Sequence, residues 1–425
     1  KARTQRILEH LKKKGANATV LTTLDELAWA FNIRNCDVEC NPVGVGFGFI
    51  GEKESVLFTF AEKVNAALQS ELQAQGVRVM GYQEIFGYLS ALPASVTVYV
   101  DKSRISSAVY NALAPHCRQI EGVSVVTMLK SYKNEAELAG VHRSMHRDGV
   151  ALTRFFMWLE AALKRGETPT EVEIDRILAE HRAQSDMYIG DSFDTICGYQ
   201  DHGAIVHYRA TPESAYTLRN EGVLLLDSGA QYKDGTTDIT RTIALGEAEP
   251  QADLKVDYTL VLKGHIAIAT AQFPEGTRGN QLDILARKAL WDRALSYGHG
   301  TGHGVGSFMN VHEGPQNIRK DLNPQALLKG MVCSDEPGFY LENQYGIRHE
   351  NLVAVREVTT NEFGTFYDFE TLTLCPFMPS GINVSLLTDV ERQWLNAYHK
   401  TCEEKLAKHL QGEVKQWFLE LVKPL

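Results

Sequence analysis

Short apolar runs alternate with short amphipathic stretches over the first 130 or so residues. The runs 56–60 (VLFTF) and 96–100 (VTVYV) are typical of buried strands, and apolar residues in 61–75 recur at helical spacing. Strands that alternate with helices favour an α/β architecture. The pattern therefore predicts an α/β domain over residues 1–130.

A long amphipathic helix is predicted to follow a short linker at 129–133. Asn134 and Glu137 have the spacing of a capping box, which marks the start of a helix. Apolar residues then recur three or four positions apart, as one face of a helix requires: Leu138, Val141, Met145, Leu152, Phe155, Leu159 and Leu163. A second helix is predicted to begin at Thr168 and Pro169, because proline is favoured in a first helical turn.

The pattern changes again in the second half of the chain. Residues 205–374 read as strands and turns rich in Gly, Asp, Glu and His, and the chain after 376–379 becomes helical. Trp394, Leu395 and Tyr398 are candidates for contact with a second subunit, with packing inside the chain as the alternative. We therefore predict three regions: 1–130, 131–375 and a helical C-terminal extension over 376–425.

Composition and charge narrow the class of protein. The 425 residues are 44% hydrophobic and 23% charged, as in a folded protein of two or three domains. A net charge of −10 lacks the basic excess of a nucleic-acid binder, and no apolar run reaches the roughly 18 residues of a membrane span. We therefore expect neither nucleic acid nor membrane as a partner. Seven scattered cysteines do not resemble a disulfide framework, which favours reduced thiols and a cytoplasmic location.

Two aspartates, Asp227 and Asp238, lie 11 residues apart on either side of a predicted turn. With a two-residue turn at 234–235, Gln231 would lie opposite Asp238. Asp227 would then lie four residues from that position, which is about 13 Å at the rise of a strand. The carboxylates face each other if the turn centres near Tyr232 and Lys233. We therefore predict the longer loop that is centred there.

A glycine-rich segment and a pair of glutamates add further candidate chemistry. Segment 298–306 (GHGTGHGVG) has glycine at alternate positions, which disfavours a helix and implies a close approach of backbone to a ligand. Because His299 and His303 lie an even number of residues apart, both can project from one side of an extended chain. Glu336 and Glu350 flank a second turn, so two hairpins would present carboxylates in pairs.

Four carboxylates and one imidazole form an oxygen-rich set suited to two divalent cations. Four negative charges balance two doubly charged ions, whereas burial of these carboxylates without metal would be very costly. Two cations about 3.5 to 4 Å apart can activate a water and stabilise the oxyanion that forms when it attacks a carbonyl. The sequence therefore predicts metal-assisted hydrolysis.

Other common enzyme motifs are absent from the sequence. His312 lies in half of a zincin motif, but Gln316 occupies the position of the second histidine and Pro315 would break the helix. The sequence contains neither a P-loop nor a G-x-S-x-G nucleophile elbow. These observations argue against a zincin, a P-loop nucleotide hydrolase and an α/β-hydrolase.

These motifs together resemble the creatinase/methionine-aminopeptidase superfamily, peptidase family M24. Within it the chain is most similar to the long, cytosolic-type form of the Xaa-Pro aminopeptidases (aminopeptidase P), without the first N-terminal domain of that form. The resemblance is carried by six segments: 203–208 (GAIVHY), 227–242, 298–315, 336–340 (EPGFY), 346–351 (GIRHEN) and 369–373 (FETLT).

The resemblance implies an α/β creatinase-like N-terminal domain and an α+β "pita-bread" catalytic domain with a curved antiparallel sheet. It implies a dinuclear metal centre, with manganese expected and zinc or cobalt as alternatives. The implied metal ligands are Asp227, Asp238, His303, Glu336 and Glu350. In the family pattern Asp238 and Glu350 bridge the two ions, Asp227 binds one ion, and His303 with Glu336 binds the other.

The resemblance also implies roles in the reaction. Glu336 would take the proton from the attacking water, while His207, His299 and His312 would position substrate and stabilise the tetrahedral intermediate. Arg348 would orient the carboxylates. Glu370 is not expected to be a ligand, because the two glutamates named above complete the set.

The implied activity is metal-dependent hydrolysis of the first peptide bond in peptides that carry proline at the second position, by a homodimer. Such a bond is a tertiary amide without N–H, so a site built for ordinary peptide bonds fits it poorly. Two alternatives remain: a prolidase, which cleaves only dipeptides, and a metal-free creatinase-fold binding protein. His349 replaces the family's β-branched residue, and strand alternation points it away from its neighbours Arg348 and Glu350.

Overall fold

The computed structural model describes residues 2–248, 250 and 252–425 of the chain. They divide into two compact units, one that ends at Ser131 and one over Tyr132–Leu425. Among the helices of these residues, none combines the length and the apolar character that crossing a bilayer requires.

The N-terminal unit contains one mixed sheet and six helices within the described residues. Its strands are β1 (Ala18–Leu21), β2 (Gly46–Gly51), β3 (Ser55–Thr59), β4 (Val77–Gly81), β5 (Thr97–Val100) and β6 (Arg118–Glu121). Its helices are α1 (Ala2–Lys13), α2 (Leu24–Phe31), α3 (Ala66–Ala74), α4 (Glu84–Ser90), α5 (Ser107–Ala112) and α6 (Val125–Ser131).

Helical crossovers explain the strand order of this sheet, which is β4-β3-β2-β1-β5-β6. The neighbours β3 and β4 are parallel, as are β5 and β6, and a parallel pair requires a crossover connection. The helices α3 and α5 supply these two connections. The α/β architecture predicted for the N-terminal residues is confirmed.

The second unit places the following helices around antiparallel sheets: α7 (Glu135–Lys164), α8 (Glu171–Arg182), α9 (Ala252–Ala269), α10 (Gly279–Trp291), α11 (Asp389–Leu406) and α12 (Gly412–Leu421). Its first strands are β7 (Tyr188–Asp191), β8 (Ile196–Tyr199), β9 (Val223–Ser228), β10 (Ala230–Tyr232), β11 (Gly235–Thr236), β12 (Ile239–Ala244) and β13 (Gln272–Pro274). The later strands are β14 (Gly302–Gly304), β15 (Glu313–Ile318), β16 (Val332–Asp335), β17 (Gly338–Leu341), β18 (Tyr345–Arg348), β19 (Asn351–Asn361) and β20 (Gly364–Thr371).

The strands of the second unit form a six-stranded sheet of order β13-β20-β19-β16-β14-β15 and three smaller sheets. The smaller sheets are β12-β9-β8, β11-β10-β7 and the hairpin β17-β18. Every strand pair named here is antiparallel. The predicted α+β catalytic architecture with antiparallel sheets is therefore confirmed.

Side-chain caps determine where the helices begin. In α7 the Asn134 side chain accepts from the Glu137 N–H at 2.9 Å, and the Glu137 carboxylate accepts from the Asn134 N–H at 3.1 Å, which is the predicted capping box. The next helix begins at Glu171 rather than at Pro169, because Thr170 forms a capping box of its own with Glu173.

The C-terminal helices pack on the core of the second unit. Leu395 and Tyr398 are buried in a cluster with Phe377, and the Trp394 ring stacks on Tyr398 with centroids 5.4 Å apart. The three residues considered for a subunit contact therefore pack inside the chain, because α11 turns its apolar face toward this core.

The Asn134 cap should contribute measurably to the stability of the second unit. Replacement Asn134→Ala leaves an amide of the first turn of α7 without its acceptor, and we expect a loss of about 1 kcal/mol in the free energy of unfolding. Asn134→Asp should retain the stability, because a carboxylate accepts the same bond and favours the helix N-terminus. Urea unfolding of the three proteins measures this; equal midpoints for the alanine variant and the parent would contradict it.

Candidate metal centre

Asp227 lies in β9, and Asp238 immediately precedes β12, the strand that pairs with β9 in antiparallel fashion. Asp227 pairs with Thr240, so Asp238 lies two residues before that partner and shares its face of the sheet. Diagonal neighbours on one face are within reach of each other's side chains. The register therefore brings the two carboxylates together without placing them directly opposite each other.

The predicted loop between these aspartates is wrong by one residue. Tyr232 pairs with Gly235, so the chain reverses at a two-residue turn formed by Lys233 and Asp234. The prediction assumed that Asp227 and Asp238 must lie directly opposite each other. Their diagonal placement already brings their ligand atoms within 4.8 Å of each other. Two arginines of α7 contact the Asp234 carboxylate in the turn: Arg143 at 2.9 Å and Arg147 at 2.7 Å.

Arg348 holds one oxygen of Asp227. Its Nη2 and Nε donate to Asp227 Oδ2 at 2.7 and 3.2 Å, and Nε also lies 3.2 Å from Thr240 Oγ1. The other carboxylate oxygen, Asp227 Oδ1, is buried and has no hydrogen-bond partner among the described residues. A buried, unpaired carboxylate oxygen requires an explanation, and a role as a cation ligand provides one.

Glu336 and Glu350 extend the hairpin β17–β18. Gly338 pairs with Arg348 at the end of the ladder, and each glutamate lies two residues beyond this pair, with ligand atoms of the two within 4.8 Å of each other. Thr240 Oγ1 donates to Glu350 Oε2 at 2.8 Å, and Ser334 Oγ donates to Glu336 Oε1 at 2.9 Å. Each hydroxyl fixes one oxygen of its glutamate.

His303 lies on β14 with its Nε2 among these carboxylates. Nδ1 lies 3.0 Å from the Gly304 carbonyl oxygen, which can only accept, so Nδ1 carries a proton and Nε2 is the nitrogen left to bind a cation. Nε2 lies 3.3 Å from Asp238 Oδ2 and 3.3 Å from Glu336 Oε1. A neutral imidazole nitrogen that faces two carboxylate oxygens is arranged to bind a cation.

The glycines around His303 allow close packing of neighbouring strands. A Cβ at Gly302 would lie 2.1 Å from the Ser334 carbonyl oxygen of the neighbouring strand β16. Gly300 and Gly302 also line the cavity of the site, and the approach of their backbone to a ligand stays a prediction. Only glycine allows β14 to bring His303 this near to Glu336.

Ligand atoms of the five predicted residues lie in two overlapping groups, each with all atoms within 4.8 Å of one another: Asp227, Asp238 and Glu350; His303, Glu336 and Glu350. Burial, followed by the charges of the other carboxylates, raises the pKa of Asp238 and of Glu350 well above the usual range. Cations would remove this penalty, and the donors suit hard divalent ions. The residues present therefore fit the dinuclear centre that the sequence predicts.

A hydrogen-bonded chain connects His299 to Arg348 through Tyr340. Arg348 Nη1 donates to the Tyr340 hydroxyl at 2.7 Å, and this hydroxyl lies 2.8 Å from His299 Nε2. Because His299 Nδ1 faces the Gly300 carbonyl oxygen at 2.8 Å, the neutral ring accepts at Nε2 from Tyr340. Burial, and then the Arg348 charge, lower the pKa of His299 to about 4.

His207 and His312 line the open side of the site. Both are exposed, and both contribute to a cavity of about 700 Å³ that also reaches the five candidate ligands. The His312 ring lies 4.3 Å from the His303 ring, centroid to centroid, and one His312 nitrogen groups with ligand atoms of Asp238 and His303. Partial desolvation of the ring against the cavity wall, and then the proximity of His303 and His207, lower the pKa of His312 to about 4.

The structure brings all predicted site residues to this cavity and adds three that sequence reasoning missed: Thr240, Ser334 and Tyr340. Thr240 and Ser334 could have been predicted, because each lies two residues from a candidate ligand and side chains two residues apart in a strand share a face. Two predicted bystanders lie apart from the ligands. His349 packs against Tyr258 with ring centroids 4.1 Å apart, and Glu370 lies 3.4 Å from His142.

The chain belongs to metallopeptidase family M24. The model of that family matches residues 139–357, the Creatinase/Prolidase N-terminal domain model matches 1–137, and the model of the C-terminal region of M24 peptidases matches 365–425. The resemblance noted from the sequence motifs is therefore confirmed.

Named relatives specify the branch of the family. The chain is 40% identical to a probable Xaa-Pro aminopeptidase P of Coprinopsis cinerea, over 100% of this chain and 71% of that protein. It is 39% identical to aminopeptidase P2 of Arabidopsis thaliana, over 97% of this chain and 62% of that protein. It is 36% identical, with a TM-score of 0.94, to the X-prolyl aminopeptidase of Caenorhabditis elegans, described as a cytosolic enzyme with a di-nuclear active site; 100% of this chain and 70% of that chain are covered. The chain thus spans between 62 and 71% of the length of these proteins.

Divalent cations should stabilise the second unit through the buried carboxylates. At a Mn²⁺ concentration of about 100 times the dissociation constant, binding to the folded state raises the free energy of unfolding by about 2.7 kcal/mol. We expect this to appear as a rise of several degrees in Tm. Glu350→Gln should lose most of this rise, whereas Glu370→Gln, a matched change outside the site, should retain it. Calorimetric scans with Mn²⁺ and with chelator measure the effect, and an equal rise for both variants would contradict the ligand assignment.

Proposed function

We propose that this protein is an Xaa-Pro aminopeptidase that releases the first residue from peptides with proline at the second position, with two divalent cations, preferably Mn²⁺. The convergence of four carboxylates and one imidazole at the floor of a large open cavity carries the proposal. Membership of family M24 and the names of the relatives support the same reaction.

The proposed ligands are Asp227, Asp238, His303, Glu336 and Glu350, with Asp238 and Glu350 shared by the two cations. Glu350 supports the shared role because its carboxylate belongs to both groups of candidate ligand atoms. When bound, the two cations supply the positive charge that lowers the pKa of the attacking water and polarises the scissile carbonyl. Zn²⁺ and Co²⁺ remain alternatives to Mn²⁺.

Glu336 is the proposed acceptor of the proton from the attacking water. Its side chain is 18% exposed, whereas that of Asp238 is 4% exposed, so Glu336 meets the cavity. Ser334 holds Oε1, and burial raises the pKa of Glu336 above its usual value. A carboxylate with a raised pKa is a better base, and it can return the proton to the leaving amine.

The remaining residues act on the substrate and on the carboxylates. His207, His299 and His312 are proposed to position the peptide and to stabilise the tetrahedral intermediate. Arg348 orients Asp227 by two hydrogen bonds to one oxygen and positions the Tyr340 hydroxyl against His299. Substitution of Arg348 would therefore disturb both the ligand set and the substrate-binding histidine.

Mn²⁺-loaded protein should release the free first residue from an Xaa-Pro-Pro peptide, but not from an Xaa-Ala-Ala peptide. Chelator should abolish release. Mass-spectrometric detection of the free residue measures both effects, and release from the tripeptide separates an aminopeptidase from a dipeptide-specific prolidase. Absence of release from every peptide, in a protein shown to contain two metal ions, would contradict the proposal.

Paired variants keep this test specific to the site. Glu336→Gln should lower kcat by about 10²- to 10⁴-fold, the usual contribution of a general base. Glu342→Gln changes an exposed glutamate in the turn of the same hairpin and should leave kcat unchanged. A comparable loss of kcat in both variants would mean that disturbance of the hairpin, rather than loss of the Glu336 carboxylate, lowers the activity.

We further propose a cytoplasmic homodimer. The seven cysteines are all free in the structure, and the related nematode enzyme is described as cytosolic. The dimer rests on resemblance to the family. Light scattering at micromolar concentration should give about twice the chain mass of 47.4 kDa, and a strict monomer would reject the dimer.

A further inference from the structure

A second cavity of about 280 Å³ lies in the same unit and shares no lining residue with the metal centre. It opens among α7, α8 and the segment that follows α11. Six of its lining residues are arginine or histidine: His146, Arg147, Arg154, His181, Arg182 and His409. Among the described residues that line it, none is Asp or Glu. This concentration of basic groups contrasts with a net charge of −10 for the chain.

Two arginines of the pocket wall are already paired with carboxylates. Asp148 forms a buried pair with Arg182 at 2.8 Å, and Asp234 holds Arg147 at 2.7 Å. Arg154 differs from both arginines, because its Nη1 donates to the neutral Gln184 side chain at 2.8 Å. No ion pair found in the described part of the chain joins Arg154 to a carboxylate. Its charge is therefore available to a ligand.

Basic groups also outnumber acidic groups around His146 and His181 taken together, two histidines of the pocket. Burial, and then four basic groups, lower the pKa of His146; those groups are Lys405, Lys408, His409 and His142. Burial, and then Arg154, lower the pKa of His181, which Glu180 only partly opposes. In addition, His181 Nδ1 is buried and makes no hydrogen bond within the described residues. An unsatisfied buried nitrogen beside an uncompensated arginine indicates a missing anionic or polar partner.

We propose that this cavity, the basic pocket, binds a small tetrahedral oxyanion: inorganic phosphate or the phosphate group of a small metabolite. Arg154 supplies a planar, permanently charged donor, which suits phosphate geometry. The histidines supply further N–H donors on three sides of the cavity, from α7, from α8 and from the segment at His409.

Binding at the basic pocket should take up protons. His146 and His181 are neutral near pH 7 in the free pocket, and a bound dianion favours their protonated forms. Affinity should therefore rise as the pH falls through the range in which the histidines become charged. Sulfate is the suitable probe for this dependence, because it remains a dianion from pH 6 to 8 while phosphate itself titrates.

Isothermal titration calorimetry of the metal-loaded, full chain tests the proposal with three probes: sulfate, inorganic phosphate and glycerol 3-phosphate. Sulfate should bind about threefold or more tightly at pH 6 than at pH 8. Tighter binding of glycerol 3-phosphate than of phosphate would identify an organic phosphate as the source of the group, and the reverse order would identify free phosphate. Failure of all three probes to bind at millimolar concentration would overturn the proposal.

Matched variants separate the basic pocket from the metal centre, which can also attract anions. Arg154→Gln should weaken binding by about tenfold or more and should retain peptidase activity. Arg165→Gln removes the same charge from an exposed arginine that pairs with Glu167 outside the pocket, and it should retain affinity. Unchanged affinity in Arg154→Gln would place the anion elsewhere and overturn the proposal.

A second variant guards against a folding defect in the first. His409 is exposed at the rim of the pocket, so His409→Gln can be made without disturbing the core. It should weaken sulfate binding, because it removes one of the N–H donors of the pocket, and it should retain peptidase activity. Unchanged sulfate affinity in this variant would contradict the proposed role of the histidines.

Discussion

The repulsion among four carboxylates within a few ångströms is the constraint on which the second unit depends. Asp227, Asp238 and Glu350 are each less than a tenth exposed, so water cannot screen their charges. The protein supplies one permanent positive charge, from Arg348, against four negative ones. Two divalent cations would supply the balance for a set in which burial and the neighbouring carboxylates raise the pKa of Asp238 and of Glu350 well above the usual range.

Strand register holds the four carboxylates close together despite their repulsion. Asp227 lies in the β9–β12 ladder, and the other three carboxylates lie within two residues of the strand ends of β9–β12 and β17–β18. Because side chains alternate at every residue, a one-residue slip of either ladder would turn its carboxylates away. Hydroxyls and a guanidinium then fix individual oxygens: Thr240 on Glu350, Ser334 on Glu336 and Arg348 on Asp227. One oxygen of each of these three carboxylates is held in this way, which leaves the other oxygen for a cation.

The same unit segregates its charges into two cavities of opposite character. The metal centre gathers carboxylates on the sheets, whereas the basic pocket gathers arginines and histidines from helices. Asp148 and Asp234 separate the two by neutralising arginines of the pocket wall: Asp148 pairs with Arg182, and Asp234 in the β10–β11 turn pairs with Arg147. Arg147 of the basic pocket therefore also holds the β10–β11 turn, which lies between Asp227 and Asp238 of the metal centre.

The sequence by itself determined the family, the fold class and the five candidate ligands, because the motif segments place these residue types at spacings that hairpins bring together. The α7 capping box was also predictable, since its hydrogen bonds join residues three apart. Only the tertiary structure decided the turn at Lys233 and Asp234, because Arg143 and Arg147 that hold it lie about 90 residues earlier. It likewise revealed the basic pocket, whose walls come from α7, α8 and the segment at His409. A contact between distant segments leaves no local pattern, and packing alone brings such residues within reach of one another.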